Sequence, residues 1–152
     1  MYEYKVTSVD RVVDGDTIDI TIDVGFGLYK KERVRVAGID TPESRTRDKK
    51  EKQYGLAAKY FLTGLLENCD DLIVRTEKDG KYGRMLGWLV CNDKGMNINQ
   101  TMIDEGYAWP YDGGKKEKSF EALDAKRKKI GENANYQAPE GSGEFGIGDE
   151  TK

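Results

Sequence analysis

The chain has 152 residues, 37% hydrophobic and 35% charged, with a formal net charge of −3 and no histidine. That length suits one domain around one core, and no apolar run approaches the roughly 18 residues that a membrane-crossing helix needs. The missing histidine excludes Ser-His-Asp and Cys-His catalysis, HExxH zinc sites and nucleases with a histidine general base, so hydrolytic chemistry would have to run on carboxylates, Arg, Lys, Tyr or a metal held by oxygen.

Met1-Tyr-Glu-Tyr-Lys-Val passes straight into a strand pattern without the basic start, apolar stretch and small-residue cleavage site of a secretory signal, which gives a cytoplasmic protein as the expectation. Val6–Val13 reads as a first strand, and Asp14-Gly15 is a dipeptide favoured in tight hairpin turns. Thr17 to Val24 then alternates fully, placing Ile18, Ile20, Ile22 and Val24 on one face. Gly25-Phe26-Gly27 makes a second reversal, and Lys31–Ile39 forms a third strand with Val34 and Val36 facing inward. Residues 43–52 are polar and read as an exposed loop. The spacing becomes helical from Gln53 to Asn68, with Leu56, Tyr60 and Leu65, or Ala57 with Phe61, on the apolar side.

Leu72–Thr76 and Met85–Cys91 are two further strands, separated by a turn over Lys78 to Gly83. Asn97–Glu105 is a short helix carrying Ile98, Met102 and Ile103 and stopped by Gly106. Glu117–Ile130 is a last amphipathic helix on Phe120, Leu123 and Ile130. Cys69 and Cys91 are widely separated with no CxxC pairing, so they form no zinc knuckle or disulfide framework. They are expected to be buried free thiols, with a single bridge as the one alternative. Five strands with a helix after the third give an α+β chain: a five-stranded OB-type β-barrel with three α-helices. The domain occupies residues 1–136, and the acidic, glycine-rich residues 137–152 are expected to be a disordered tail.

The tail holds Glu140, Glu144, Asp149 and Glu150 against Lys152 alone, which leaves the body with equal numbers of acids and bases. Within the body, bases gather at Lys30–Arg35, Arg45–Lys52, Lys115–Lys118 and Lys126–Lys129. Each run alone suits a solvated face. A neutral body with local basic loops suits an enzyme that releases its product better than a tight sequence-specific DNA binder.

Three segments carry chemistry: Asp14-Gly-Asp16-Thr17, Arg35 followed by Asp40-Thr41-Pro42-Glu43, and Lys81-Tyr82-Gly83-Arg84. Singly each reads as a turn or a strand end. Together they supply what phosphodiester hydrolysis requires: activation of water, and positive charge against the phosphoryl and leaving oxygens. Asp16, Asp40 and Glu43 offer oxygen ligands to a hard cation. Arginine presents a permanently charged fork matched to two phosphate oxygens. Arg35 alternates with Val34 and Val36 and so points away from the core. The first segment is no EF-hand, because Ile18 stands where that loop needs its third acidic ligand.

Over roughly residues 5–132 the chain resembles the staphylococcal nuclease (thermonuclease) family, in element order and in the spacing of the three segments. The resemblance implies an OB-fold barrel, one Ca2+, and cleavage of DNA or RNA to 3′-phosphate ends by a monomer with no membrane partner. Carried over residue by residue, it implies that Asp16, Asp40 and the Thr41 carbonyl bind the ion, with Glu43 as general base. Arg35 and Arg84 would grip the phosphate, Lys81 and Tyr82 would contact the terminal phosphate, and Tyr111 would stack on a base. The chain departs from the secreted enzymes at Tyr29–Lys31 and Trp109–Lys115, where bases would be contacted. The competing expectation is a non-catalytic OB-fold module that binds single-stranded nucleic acid.

The tail has too little apolar surface to offset the entropy of ordering. Deleting residues 137–152 should leave the melting temperature nearly unchanged and, by removing four acids and one base, should improve nucleic-acid binding. A large drop in Tm would show instead that the tail docks on the body.

Overall fold

The computed structural model describes residues 1–79, 84–116 and 118–131. The expected tail, and Lys81 and Tyr82, lie outside the described residues.

Among the described residues eight strands and three α-helices follow one another as β1 (Tyr2–Asp14), β2 (Thr17–Gly25), β3 (Leu28–Val36), β4 (Ile39–Asp40), α1 (Lys49–Glu67), β5 (Leu72–Asp79), β6 (Met85–Cys91), β7 (Met96–Asn97), α2 (Ile98–Asp104), β8 (Trp109–Pro110) and α3 (Phe120–Gly131), with a 3-10 turn at Asn92–Lys94 before β7. Five of them close a mixed β-barrel: β3-β2-β1-β5-β6 run side by side, and β3 then pairs with β6. Every barrel pairing is antiparallel except β3–β6, where Val34, Arg35 and Val36 lie parallel to Met85, Leu86 and Gly87. The closure depends on Gly87, since a Cβ there would stand 2.7 Å from Val34 Cγ1 and 2.9 Å from Val74 Cγ2. The five-stranded barrel with three helices expected from the sequence is therefore the fold.

The alternating stripe fills the barrel as its spacing predicts: Ile18, Ile20 and Ile22 are buried, as are Val34 and Val36 on the neighbouring strand. Each such side chain removed from water is worth about 1.5–3 kcal/mol. Val24 breaks the expectation and is exposed, because β2 has by then run past the end of the barrel toward the Gly25–Gly27 turn. At that turn Phe26 takes φ 58° and is fully exposed.

α1 begins four residues earlier than the periodicity suggests. Asp48 caps it, accepting hydrogen bonds from the Lys50 and Glu51 N–H groups at 3.0 and 3.1 Å. Such a cap is typically worth about 1 kcal/mol. The buried face also differs from the expected one. Leu65 and Phe61 are buried as expected, but Tyr60 is exposed, and Gly55, Ala58, Lys59, Leu62 and Leu66 are buried beside them. Gly and Ala add little to a hydrophobic pattern, and a buried Lys works against it, so the apolar count pointed a little to one side. α2 buries Ile98, Met102 and Ile103 as expected.

α3 starts at Phe120 rather than Glu117 and docks on α1. The Tyr54 hydroxyl donates to Asp124 Oδ1 at 2.7 Å, Phe120 packs on the Tyr54 ring, and Leu123 is buried. The hydrogen bond to the Asp124 carboxylate raises the Tyr54 phenol above its ordinary pKa.

The cysteines are not free thiols. β6 returns past the C-terminal end of α1, bringing the Cα atoms of Cys69 and Cys91 to 5.7 Å, and the two are disulfide-bonded. Asp93 ties the same corner by accepting the Asp71 and Asp70 N–H groups at 2.9 and 3.3 Å. Those donors, Asp71 first, hold its carboxyl below the ordinary value. Closing a loop of this size is worth about 3 kcal/mol on the chain-entropy model. Replacing both cysteines with Ser should therefore lower unfolding stability by about that amount in denaturant titration. Unchanged stability would show that the bridge contributes nothing to the fold.

Candidate active site

The candidate residues converge where the β1–β2 turn, the end of β3, β4 and the loop after it meet α1. The β1–β2 turn carries Asp14 and Asp16. Its Gly15 is required by space, not by backbone twist, since a Cβ there would sit 2.8 Å from Ala58 Cβ and 3.1 Å from Thr41 Cγ2. Gly55, one turn before Ala58, presses still closer: a Cβ on it would lie 2.3 Å from the Glu43 carbonyl oxygen. The bare face of α1 thus sets the backbone of the Asp16 turn and of the Glu43 loop together.

Asp16 is held from three sides. Its carbonyl accepts the Val36 N–H at 2.8 Å, Thr17 Oγ1 donates to its Oδ1 at 3.0 Å, and the Thr41 N–H donates to its Oδ2 at 3.3 Å. Arg35, opposite Thr17 in the β2–β3 register, turns away from the core as its alternation predicts. Its Nη1 donates to the Val36 carbonyl at 2.9 Å and its Nη2 to the Ile39 carbonyl at 2.8 Å. Nη2 thereby stands 3.6 Å from Asp16 Oδ2 and 3.9 Å from Asp40 Oδ1.

Asp40 comes from β4, which pairs with β8 so that Asp40 lies opposite Trp109. It is 4% exposed, and its Oδ2 is buried without a hydrogen-bond partner among the described residues. A bare carboxylate oxygen out of water is costly. Two aspartates beside the Thr41 backbone, with one such oxygen unclaimed, form a donor set of the kind hard divalent cations take. The expected ligands Asp16, Asp40 and Thr41 are thus brought together and fit such an ion.

Glu43 is exposed, and among the described residues its carboxylate makes no hydrogen bond or ion pair. Its backbone N–H donates to Glu51 Oε2 at 3.1 Å. Arg84 lies two residues before Leu86, the β6 partner of Arg35, so it belongs to the same face of the sheet. Among the described residues its side chain is likewise uncommitted. Tyr111 follows β8, with its N–H on the Gly38 carbonyl at 2.9 Å and its hydroxyl on the Gly114 carbonyl at 3.1 Å.

Three contributors escaped the sequence reading. Ser44 Oγ donates to Asp14 Oδ1 and ties the Glu43 loop to the β1–β2 turn. Asn99, buried on α2, donates to the Ala37 carbonyl at 2.8 Å and the Gly87 carbonyl at 3.2 Å and accepts the Leu89 N–H at 2.9 Å. It thereby fixes the bend between Arg35 and Asp40. Its one visible signal was a polar residue between Ile98 and Met102 in an apolar helical stripe. Lys116, within a basic run read as a solvated face, brings its Nζ to 3.4 Å from Asp40 Oδ1.

A family model described as "Staphylococcal nuclease homologue" matches residues 33–134. Endonuclease YhcR of Bacillus subtilis is 33% identical over 133 residues, which are 80% of this chain and 10% of that protein. An uncharacterized endonuclease of Escherichia coli O157:H7 is 36% identical over 104 residues, covering 68% of this chain and 60% of the relative. Micrococcal nuclease of Shigella flexneri is 34% identical over 110 residues, covering 68% and 56% respectively. The chain therefore spans between a tenth and about three fifths of the length of these relatives. With the family model covering the strand of Arg35, the Asp40–Glu43 segment and both later helices, the chain belongs to the staphylococcal nuclease family.

Proposed function

We propose that this chain hydrolyses phosphodiester bonds of DNA or RNA with the help of one Ca2+, leaving 3′-phosphate ends. The observation that carries the reading is the surroundings of Asp40. A buried carboxylate oxygen is left without a hydrogen bond, while an arginine fixed by two backbone carbonyls stands between the two aspartates. That oxygen is available to a cation, and burial makes leaving it bare costly. The family membership and the relatives named as endonucleases support the same reading.

In this proposal Asp16, Asp40 and the Thr41 carbonyl hold the ion. A bound divalent cation would neutralise charge on the phosphoryl oxygens and make a nearby water more acidic. The uncommitted carboxylate of Glu43 takes the proton from the attacking water. Arg35 still has N–H donors beyond the two given to carbonyls, and it presents them to the phosphate without rearranging. Arg84, with every donor available, meets the charge that grows on the phosphoryl and leaving oxygens. Lys81 and Tyr82, three and two residues before Arg84 in sequence, contact the terminal phosphate, and Tyr111 offers a ring to a base.

Two aspartates and a carbonyl leave most ion positions to water, so affinity for Ca2+ should be modest. Plasmid and single-stranded DNA and RNA should be cut in Ca2+ and spared in excess EDTA, with the circular dichroism spectrum unchanged. Full cleavage in EDTA would sink the proposal. Binding of single strands without cleavage in Ca2+ would make this a non-catalytic module instead.

Glu43→Gln removes the base and retains the shape. Because positioned proton transfer contributes ~10²–10⁴-fold, kcat should fall by at least that range. Arg35→Lys keeps the charge and loses the planar fork, and should cut kcat more than it weakens binding of a ground-state analogue. The double variant should be less damaged than the product of the singles, since both residues serve one transition state. Near wild-type turnover in both single variants at saturating Ca2+ would refute these roles.

A further inference from the structure

Residues 109–116, with 118 and 119 beyond them, form a strap beside the site that is tied at both ends. At its start Tyr111 N–H donates to the Gly38 carbonyl, and Trp109 Nε1 reaches across to the Ser119 carbonyl at 2.8 Å. Between these anchors run Gly113, at φ 97°, and Gly114, whose N–H donates to Asp112 Oδ1 at 2.9 Å and whose carbonyl accepts the Tyr111 hydroxyl at 3.1 Å. Three lysines hang from the strap, Lys115, Lys116 and Lys118, and two of them meet carboxylates. Lys118 pairs with Glu51 Oε2 at 3.3 Å, the same oxygen that accepts the Glu43 N–H. Lys116 lies 3.4 Å from Asp40 Oδ1 and 5.5 Å from the Tyr111 ring centroid.

Counting formal charges, Asp16 and Asp40 are balanced by Arg35 and Lys116. Adding a divalent cation to this neutral group leaves two excess positive charges in a small, largely buried space unless one of the resident cations moves. Arg35 is 16% exposed and is held by the carbonyls of Val36 and Ile39. Lys116 is 48% exposed, has among the described residues Asp40 and the Tyr111 ring as partners, and sits on a glycine-containing strap. Of the two, Lys116 is the one free to leave.

We propose that Lys116 is a tethered counter-ion. It holds Asp40 in the metal-free protein, is displaced when Ca2+ binds, and then pairs with the phosphate of the incoming substrate, so that metal and substrate binding are coupled through one side chain. The inference rests on the Ca2+ site of the proposed function. A phosphate beside the ion restores the charge balance, and the released ammonium is already attached at the edge of the site. Lys116 therefore opposes Ca2+ alone and favours Ca2+ together with phosphate. Because such coupling is reciprocal, it is readable in Ca2+ affinity without turnover.

The test is calorimetric titration of Ca2+ into the wild-type chain, Lys116→Gln and Lys116→Arg, with and without a saturating nucleoside 3′-monophosphate, which offers no diester to cleave. Lys116→Gln should bind Ca2+ roughly 3–10-fold more tightly than wild type in the absence of the nucleotide, as expected when one close charge–charge repulsion is removed. Its affinity should then gain several-fold less on adding the nucleotide. Lys116→Arg, which retains the charge, should stay near wild type in both. Equal or weaker Ca2+ binding by Lys116→Gln, with wild type binding normally, would overturn the role of Lys116 and leave the Ca2+ site standing. No Ca2+ binding by the wild-type chain would overturn both.

Discussion

Between α1 and the barrel there is room at two points for nothing larger than hydrogen. A side-chain carbon at Gly15 would collide with Ala58, and one at Gly55 would enter the Glu43 carbonyl. Through these contacts a helix that buries Leu62, Leu65 and Leu66 in the core also serves as the floor on which the acidic turn and the Glu43 loop rest. Hydrophobic burial is not directional, but close packing is unforgiving of even one extra carbon. The energy that folds α1 onto the barrel is thus turned into positional accuracy at Asp16 and Glu43. Asp48 matters to the site for the same reason: by starting the helix at Lys49 it places Gly55 opposite the Glu43 carbonyl.

The charged groups resting on that floor fall into two kinds. The side chains of Arg35 and Asp16 are tied by hydrogen bonds to backbone atoms, so their positions follow the backbone of β3, β4 and the segment after it. Glu43, Arg84 and Lys116 are held far more loosely, and they are the groups asked to meet water, phosphate or a displaced proton. Preorganised dipoles act without reorganisation at the moment of reaction, which suits the fixed set. Exchange of partners during a turnover suits the loose set. The buried, unpartnered oxygen of Asp40 lies where the two meet.

How legible this was depends on what each residue has to do. The β2 stripe and the inward Val34 and Val36 follow from alternation alone, because a barrel interior accepts only apolar side chains. Alternation also turned Arg35 outward, and the chemistry of the acidic segments together with their resemblance to the staphylococcal nuclease family brought Asp16, Asp40 and Glu43 into one picture. The first turn of α1 was not legible, because Lys49, Lys50 and Lys52 give a solvated helical turn and a polar loop the same composition. Gly15 and Gly55 read as a turn former and a weak helix residue, since their purpose is the absence of a side chain and appears only in three dimensions. The Cys69–Cys91 pairing needed the return path of β6 past α1, and Lys116 needed the course of the strap. Neither leaves a local pattern.

The barrel closure and the site share the same bonds. β3 and β6 run parallel at Val34–Val36 and Met85–Gly87, and this pairing sets Arg84 on the face that bears Arg35. The Gly87 carbonyl accepts the Ala37 N–H at 2.8 Å and a second hydrogen bond from Asn99, so the bend leading to Asp40 is built directly on the closing strand. A parallel closure of this kind contains few ladder bonds, and here a buried side-chain amide supplies the difference. Asn99 uses both its carbonyl and its amino group, which removes the usual penalty for burying them. The strand that completes the fold is therefore also the one on which the bend between Arg35 and Asp40 is built.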